Sequence, residues 1–329
     1  MAEGQDIAVS AGARRFFGSV PGMLAACLVA CLLWGSAFPC VKIGYALFGI
    51  ASADTASIIM FAGVRFTLAG LLVVLGMTVA TRHPFMPKRS DLKAISVLSL
   101  FQTMLQYLFF YIGLAHATGV TSSIIEGLNS FFCVLLAALV FHDERLTARK
   151  VAGCLAGFAG VALVDLAGQA KGSIAFTLSG EGLVLLSTIA AATSSNLAKR
   201  FSRRHDPVLL SAWQFVFGGI AMLLVGAAMG GEVAPQDMAD PWPAVGLILY
   251  LAFISAAAYS LWSMALACNP VSRVAVFGFM NPVFGVILSA LLLGEGGVLD
   301  PAVTLVALAL VSAGIIVVNR SGATAPEKR

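Results

Sequence analysis

The chain has 329 residues, of which 59% are hydrophobic and 11% charged, and its formal net charge is +4. A mean hydropathy of +0.94 excludes a soluble globular domain of ordinary composition, because apolar runs of about 20 residues, the length of a bilayer-spanning helix, recur from end to end. Only helices and closed barrels satisfy their backbone in lipid, and runs this long predict an all-α integral membrane protein whose positive charge reflects topology and not nucleic-acid binding.

In chain order, residues 1–21 form a polar tail with Arg14 and Arg15 ahead of the first apolar run. The predicted spans are 22–44, 57–80, 94–114, 118–141, 149–166, 182–201, 208–229, 243–267, 272–293 and 301–319. They divide the chain into the cytoplasmic tail 1–21, a five-helix unit 22–167, an outer linker 168–181, a second five-helix unit 182–319 and a cytoplasmic tail 320–329. A cleaved signal peptide ending near Gly35-Ser36-Ala37 is disfavoured, because the apolar stretch runs past that point and the helix has a counterpart in the second half. With the N-terminus inside, the cytoplasmic segments hold 17 Lys and Arg residues and the opposite side only Lys171, while Lys42 and Arg65 fall within helices. Both termini are therefore expected on the cytoplasmic side.

The two units are related by a shift of 152 residues that matches Leu98–Leu163 to Tyr250–Ile315 without a gap. Ala115 meets Ala267, Asn129 meets Asn281, Phe132 meets Phe284, and Tyr107 meets Tyr259. Five helices per unit is an odd number, so the second unit enters the membrane from the other side, and the architecture expected is ten transmembrane helices in two inverted repeats.

Several stretches carry a family likeness: LLWGSAFPCVKIG in the first helix, FAGVRFTLAGLL in the second, GLAHATGVTSSII and LVFHDERLTARKVAGCLAGFAGVAL further on, and NPVFGVILSALLLGE in the second half. Together they resemble the drug/metabolite transporter superfamily, specifically its ten-helix group with two EamA-type repeats, over residues 22 to 319. The resemblance implies a ten-helix inner-membrane carrier, often an exporter of amino acids or other small metabolites, usually without ATP hydrolysis. The chain departs from that pattern at Asn129-Ser130, where the family commonly has a proline that the second half keeps as Asn281-Pro282. A helix break is therefore expected in one half only.

Positions that differ between the repeats are the better candidates for specificity. Arg65 pairs with Phe217 and Glu126 with Gly278, and each is an ionisable residue inside an apolar span. Both lie about eight residues from the outer end of their helices, at similar depth. Two readings stand: a structural Arg65–Glu126 pair, or a Glu126 that faces a central cavity to bind a substrate ammonium or carry a coupling proton. Lys42 is explained equally by snorkelling and by substrate contact, and a local alignment of WGSAFPCVK with AATSSNLAK pairs it with Lys199. Gln102 and Gln106 share one helical face and need polar partners. In the sixth helix, Ala190 to Asn196, with Ser195 and Asn196 as polar members, suits close packing or a wet wall. Aromatic residues Trp34, Phe38, Phe101, Tyr107, Tyr111, Trp213, Tyr259 and Trp262 suit either packing or a pocket wall, with the matched Tyr107 and Tyr259 favoured. Asn129 and Asn281 complete the substrate-binding candidates.

Gly153, Gly157 and Gly160 read as a packing face. The six cysteines lie in or beside apolar spans and read as reduced and structural, without metal-ligand spacing to the four histidines. No HExxH, GxSxG or Walker A motif is present, so no catalytic residue, metal or cofactor is assigned. The expected function is a secondary carrier working by alternating access, exporting amino acids including aromatic ones. The alternatives are a carrier for nucleotide-sugars, phosphorylated metabolites or cationic drug-like compounds, and, behind these, an intramembrane enzyme. Its expected partners are a small-molecule substrate and membrane lipid, and the oligomeric state stays open, with a monomer sufficient.

Overall fold

The computed structural model describes residues 11–51, 53–116, 119–167, 177–292 and 301–320. Every described element is helical. The expected tails and outer linker lie largely outside the described residues, as do Lys171 and the side chain of Phe38.

The helices are α1 (Ala11–Gly18), α2 (Val20–Leu47), α3 (Thr55–Thr81), α4 (Arg89–Leu98), α5 (Gln106–His116), α6 (Gly119–Leu139), α7 (Ala148–Ala167), α8 (Leu183–Phe201), α9 (Pro207–Ala228), α10 (Trp242–Cys268), α11 (Val271–Ala275), α12 (Met280–Leu292) and α13 (Pro301–Arg320). A π-helical segment, Ser99–Leu105, joins α4 to α5, another, Leu178–Gly182, leads into α8, and a 3-10 turn, Val276–Phe279, joins α11 to α12. Among the described residues five helical stretches are long and apolar enough to cross a membrane: Val20–Leu47, Thr55–Thr81, Arg89–Gly113, Pro207–Ala228 and Trp242–Cys268. Local chemistry sets several boundaries. Ser19 accepts from Gly22 N at 3.2 Å to start α2, and Asp206 accepts from Val208 N and Leu209 N to start α9, each ahead of a proline in the first turn. Helix α2 runs unbroken across Gly35-Ser36-Ala37.

The most extensive helix pairs are α3 with α9 and α7 with α13. In each pair the starts of the helices lie about 152 residues apart, at Thr55 and Pro207 and at Ala148 and Pro301. Both pairs run antiparallel: along α3, Met60, Gly63 and Gly70 meet Gly226, Gly219 and Ala212 in turn, and Gly153 and Gly160 of α7 meet Gly314 and Ala307 of α13. These crossings are very close. A Cβ on Gly219 would stand 2.5 Å from Thr67 N, and one on Gly314 2.5 Å from Gly153 O, so hydrogen is the only side chain that fits there. The packing role read for Gly153, Gly157 and Gly160 is what the structure gives them.

A helix break occurs in the second half alone, as Pro282 implies. Without an N–H, Pro282 cannot bond the Gly278 carbonyl, and the chain passes through the 3-10 turn before α12 resumes. Its counterpart Ser130 lies in the unbroken α6 and donates to Ala275 O at 2.7 Å, against the break of the other half.

Two apolar clusters form the core. One gathers Phe61, Phe66, Tyr111, Phe215 and Tyr259; the other gathers Trp262, Phe277, Phe279 and the buried Cys27, Cys31, Cys133 and Cys154. Trp34 packs against both. The cysteines are free thiols.

At one end of the bundle the connections 82–88, 140–147, 202–206 and 269–270 are tied together by polar contacts. Asp143 takes Arg203 at 3.0 Å and Arg200 at 3.6 Å, and Asp91 takes His205 at 2.7 Å. Glu144 takes Lys150 Nζ at 2.6 Å and caps α11 by accepting from the Ser272 amide and hydroxyl. Trp213 Nε1 donates to Phe85 O at 2.9 Å and Lys199 Nζ to Ala267 O at 3.2 Å.

Candidate functional site

The two tyrosines matched by the repeat meet. Tyr107 of α5 and Tyr259 of α10 share a hydrogen bond between their hydroxyls at 2.9 Å, although 152 residues separate them. The contact joins the two halves of the chain. Aromatic rings from five helices gather around the pair. The Trp34 ring centroid is 4.9 Å from that of Tyr259 and 5.1 Å from that of Trp262, both near edge-to-face. Phe215 stands 4.8 Å from Tyr259, and Phe66 4.4 Å from Tyr107. Tyr111 follows one turn after Tyr107, with ring centroids 6.0 Å apart.

Arg65 enters this wall from α3 and is 4% exposed. Its Nε donates to Leu251 O at 3.3 Å and to Ser255 Oγ at 3.1 Å, and its guanidinium lies 5.2 Å from the Phe66 ring centroid. Tyr111 lies close enough to Arg65 and to Tyr45 of α2 for their side chains to act on it electrostatically. The acceptors of the Arg65 Nε are thus a backbone carbonyl and a serine hydroxyl of α10. Glu126, half-buried on α6, is near enough to act electrostatically on Tyr259, as Arg65 does from its own side, and the Gln106 side chain lies close to the Tyr259 hydroxyl.

The remaining sequence candidates lie elsewhere. Asn129, Ser195 and Asn196 belong to the seam between α6 and α8: Cys133 Sγ donates to Asn129 Oδ1 at 3.4 Å, Ser195 contacts that same thiol, and Asn196 Nδ2 donates to Cys133 O at 3.2 Å. Gln102 is buried in the π segment, beside a crevice shared with Leu98, Ala198, Leu210, Ser211 and Ser263. Trp213 is tied to Phe85 at the end of the bundle and does not reach the tyrosines. Lys42 is exposed. Asn281 Oδ1 and Trp34 Nε1 are buried polar atoms without a hydrogen-bond partner.

Sequence reading passed over Ser255, Tyr45 and Gln214. Gln214 is wholly buried and accepts from Thr103 Oγ1 at 2.6 Å, while its backbone carbonyl accepts from Ser99 Oγ at 3.0 Å. An uncharged polar residue in the apolar run SAWQFVF was the signal, the same one that drew notice to Gln102 and Gln106. Chemically, the centre offers aromatic faces, hydroxyls, one buried cation and one nearby carboxylate. Among the described residues no group of His, Cys, Asp or Glu could hold a metal ion.

Comparison with known proteins gives this geometry a setting. The sequence profile of the EamA-like transporter family matches residues 20–165 and 178–320. The chain belongs to that family. It is 27% identical over 292 residues to an "Uncharacterized transporter" of Archaeoglobus fulgidus, covering 87% of this chain and 95% of that one. It is 26% identical over 293 residues to a "Probable terminal-alkyne amino-acid exporter" of Streptantibioticus cattleyicolor, covering 87% and 90%. Identity is also 26% over 278 residues to a "Probable amino-acid metabolite efflux pump" of Salmonella typhimurium, covering 82% and 86%. A crystal structure 18% identical in sequence superposes with a TM-score of 0.72 over 93% of this chain and the whole of the other, a likeness of fold. As an EamA-like protein with several apolar helices of membrane-spanning length, the chain is a multi-pass membrane protein.

Proposed function

We propose that this EamA-like protein is a secondary carrier that exports amino acids, aromatic ones included, by alternating access at the tyrosine-centred core. In this reading ten transmembrane helices form two inverted five-helix repeats in the inner membrane, with both termini cytoplasmic. The observation that carries it is the Tyr107–Tyr259 hydrogen bond. It joins residues that the 152-residue shift matches, one from each half, which is where a carrier of this design would hold its substrate while one half rocks against the other. Aromatic walls suit flat apolar side chains, and the opposite charges of Arg65 and Glu126 near the tyrosines suit a zwitterion. Two relatives named for amino-acid export favour the same class. Phosphorylated substrates would call for more cations than the single buried arginine of this centre.

The test is uptake of labelled amino acids by proteoliposomes containing the purified chain, with and without a pH gradient, alongside Glu126→Gln. Saturable uptake that competing amino acids suppress is expected, and Glu126→Gln should abolish the response to the gradient while exchange of substrate survives. Absence of uptake for every amino acid by folded protein would overturn the amino-acid assignment. An unchanged Glu126→Gln would remove Glu126 from coupling.

A further inference from the structure

A narrow crevice runs between the end of α4 with its π segment, α8, α9 and α10, and Leu98, Gln102, Pro207, Ser211 and Ser263 are among its lining residues. Its three polar members are all buried: Gln102 is 7% exposed, Ser211 4% and Ser263 7%. Ser211 Oγ has no hydrogen-bond partner, and neither has Gln214 Nε2, about one turn further along α9. Buried polar groups in a settled core find partners, and one left over costs stability. Packing alone therefore does not explain why these positions are polar.

The other half shows what packing alone puts there. Under the 152-residue shift Gln102 matches Ile254, Ser211 matches Ile59, and Ser263 matches Tyr111. Those three also come together, in one apolar cluster, with Ile254 0% and Ile59 1% exposed. One region is thus polar and loosely filled where its counterpart is apolar and packed. The crevice also spans two landmarks of the fold. At one end Pro207 lies two residues from His205 of the polar contacts that tie the connections together. Towards the other, Gln102 precedes by four residues Gln106, whose side chain lies close to the Tyr259 hydroxyl, and Ser263 follows Tyr259 by one helical turn.

We propose that this crevice is the substrate's path between that end of the bundle and the tyrosine pair, and that Gln102, Ser211 and Ser263 are the side chains it touches on the way. This rests on the reading of the tyrosine-centred core as the substrate site. An amide and two hydroxyls both donate and accept, so they meet the ammonium and the carboxylate of a zwitterion alike. Being neutral, they hold it weakly enough to let it go, as a path requires. The crevice is narrow, so passage needs α4 and α9 to part as one half moves against the other.

Two measurements on the purified full chain test it. The first is thiol reactivity in lipid nanodiscs, in a Cys268→Ser background because the other five native thiols are buried. Ser211→Cys and Ser263→Cys should react with methanethiosulfonate ethylsulfonate at least about tenfold faster than Ile59→Cys and Ile254→Cys, because a polar seam opens to water more readily than a packed apolar one. Equal rates at the four positions would overturn the path. The second measurement separates passage from binding. Ser211→Ile and Ser263→Tyr install the side chains of the other half and fill the crevice. Uptake of labelled L-phenylalanine by proteoliposomes should fall at least about tenfold, while binding of L-phenylalanine, read by quenching of tryptophan fluorescence, stays within about twofold of the wild type. Unchanged uptake in both filled variants would overturn the path, and so would binding that falls in step with uptake, since the residues would then belong to the tyrosine site itself. If the folded wild type takes up no amino acid, the amino-acid assignment fails and the thiol rates alone decide the path. They decide it too if the filled variants aggregate.

Discussion

The tyrosine-centred core and the polar strap at the end of the bundle are built from similar residue types but settle their charges in opposite ways. In the strap three carboxylates have a cation or histidine: Asp143 with Arg200 and Arg203, Glu144 with Lys150, Asp91 with His205. In the core Arg65 leans on neutral oxygens, and buried Trp34 Nε1 and Asn281 Oδ1 go without partners. A region that stays closed gains from mutual neutralisation. If the core is the substrate site proposed above, substitutions in the strap should act on stability and those in the core on selectivity, so the two regions should separate these properties.

The largest effect expected is in the scaffold that holds the core in register. Gly219→Val would place a Cβ 2.5 Å from Thr67 N, in the middle of the α3–α9 crossing, where backbone and not a flexible side chain must give way. Loss of monodisperse protein on size-exclusion chromatography is expected. Gly76→Ala, at a site with nothing within 4 Å, should leave the elution profile unchanged. Equal behaviour of the two variants would mean that the crossing is looser than the geometry requires.

Next comes the strap. Glu144→Ala removes the acceptor of Lys150 and of Ser272 and leaves a buried ammonium without its carboxylate, a loss of about 3 kcal/mol in stability for a carboxylate that makes these contacts. Thermal unfolding in detergent should show it, with ligand preference unaltered in whatever protein remains folded. Arg65→Gln should do the reverse, changing preference with little change in unfolding. A shared loss of both properties in either variant would dissolve the distinction.

Acid sharpens the same contrast. Burial works against the charge of Glu144, but hydrogen bonds from Lys150 and Ser272 and the Lys150 charge outweigh it and hold its carboxyl below the ordinary 4.5. A lowered carboxyl contributes stability that is complete above its unfolded value and is lost as pH falls through the folded one. The unfolding temperature should therefore begin to drop below about pH 4.5, and Glu144→Gln should flatten that part of the profile. An identical acid limb in the variant would mean that other groups carry it.

Much of this was legible in the sequence, for identifiable reasons. Apolar run length finds helices because lipid leaves the backbone few alternatives, and the expected spans coincide with described helices to within a few residues, apart from the earlier start of the Arg89 helix and of Leu178. The shift of 152 paired Tyr107 with Tyr259 before any coordinates, and Pro282 without a partner proline foretold a break in one half. Hidden from view was how each helix is turned about its axis. Mean hydropathy is high all round α3, α9 and α10, so nothing in the pattern says that Arg65 reaches Ser255, or that Trp213 turns towards Phe85. The π segment at Ser99–Leu105 is invisible for the same reason, since its extra residue per turn leaves composition unchanged.

The smallest effect expected is at the tyrosine pair itself. Tyr107→Phe deletes one hydroxyl of the 2.9 Å bond and keeps both rings, and Gln106 remains within reach of the Tyr259 hydroxyl. Such a loss is worth about 1 kcal/mol, so phenylalanine binding should weaken only several-fold. The informative comparison is the cycle of Tyr107→Phe, Tyr259→Phe and the double variant. Both single changes break the same bond, and the second change then has nothing further to break, so the double variant should cost little more than the worse single. Costs that simply add would mean that each hydroxyl serves a separate partner. In that case the meeting of the two repeats at these tyrosines would be a matter of packing, and the centre of selectivity would move to Arg65 and Ser255 alone.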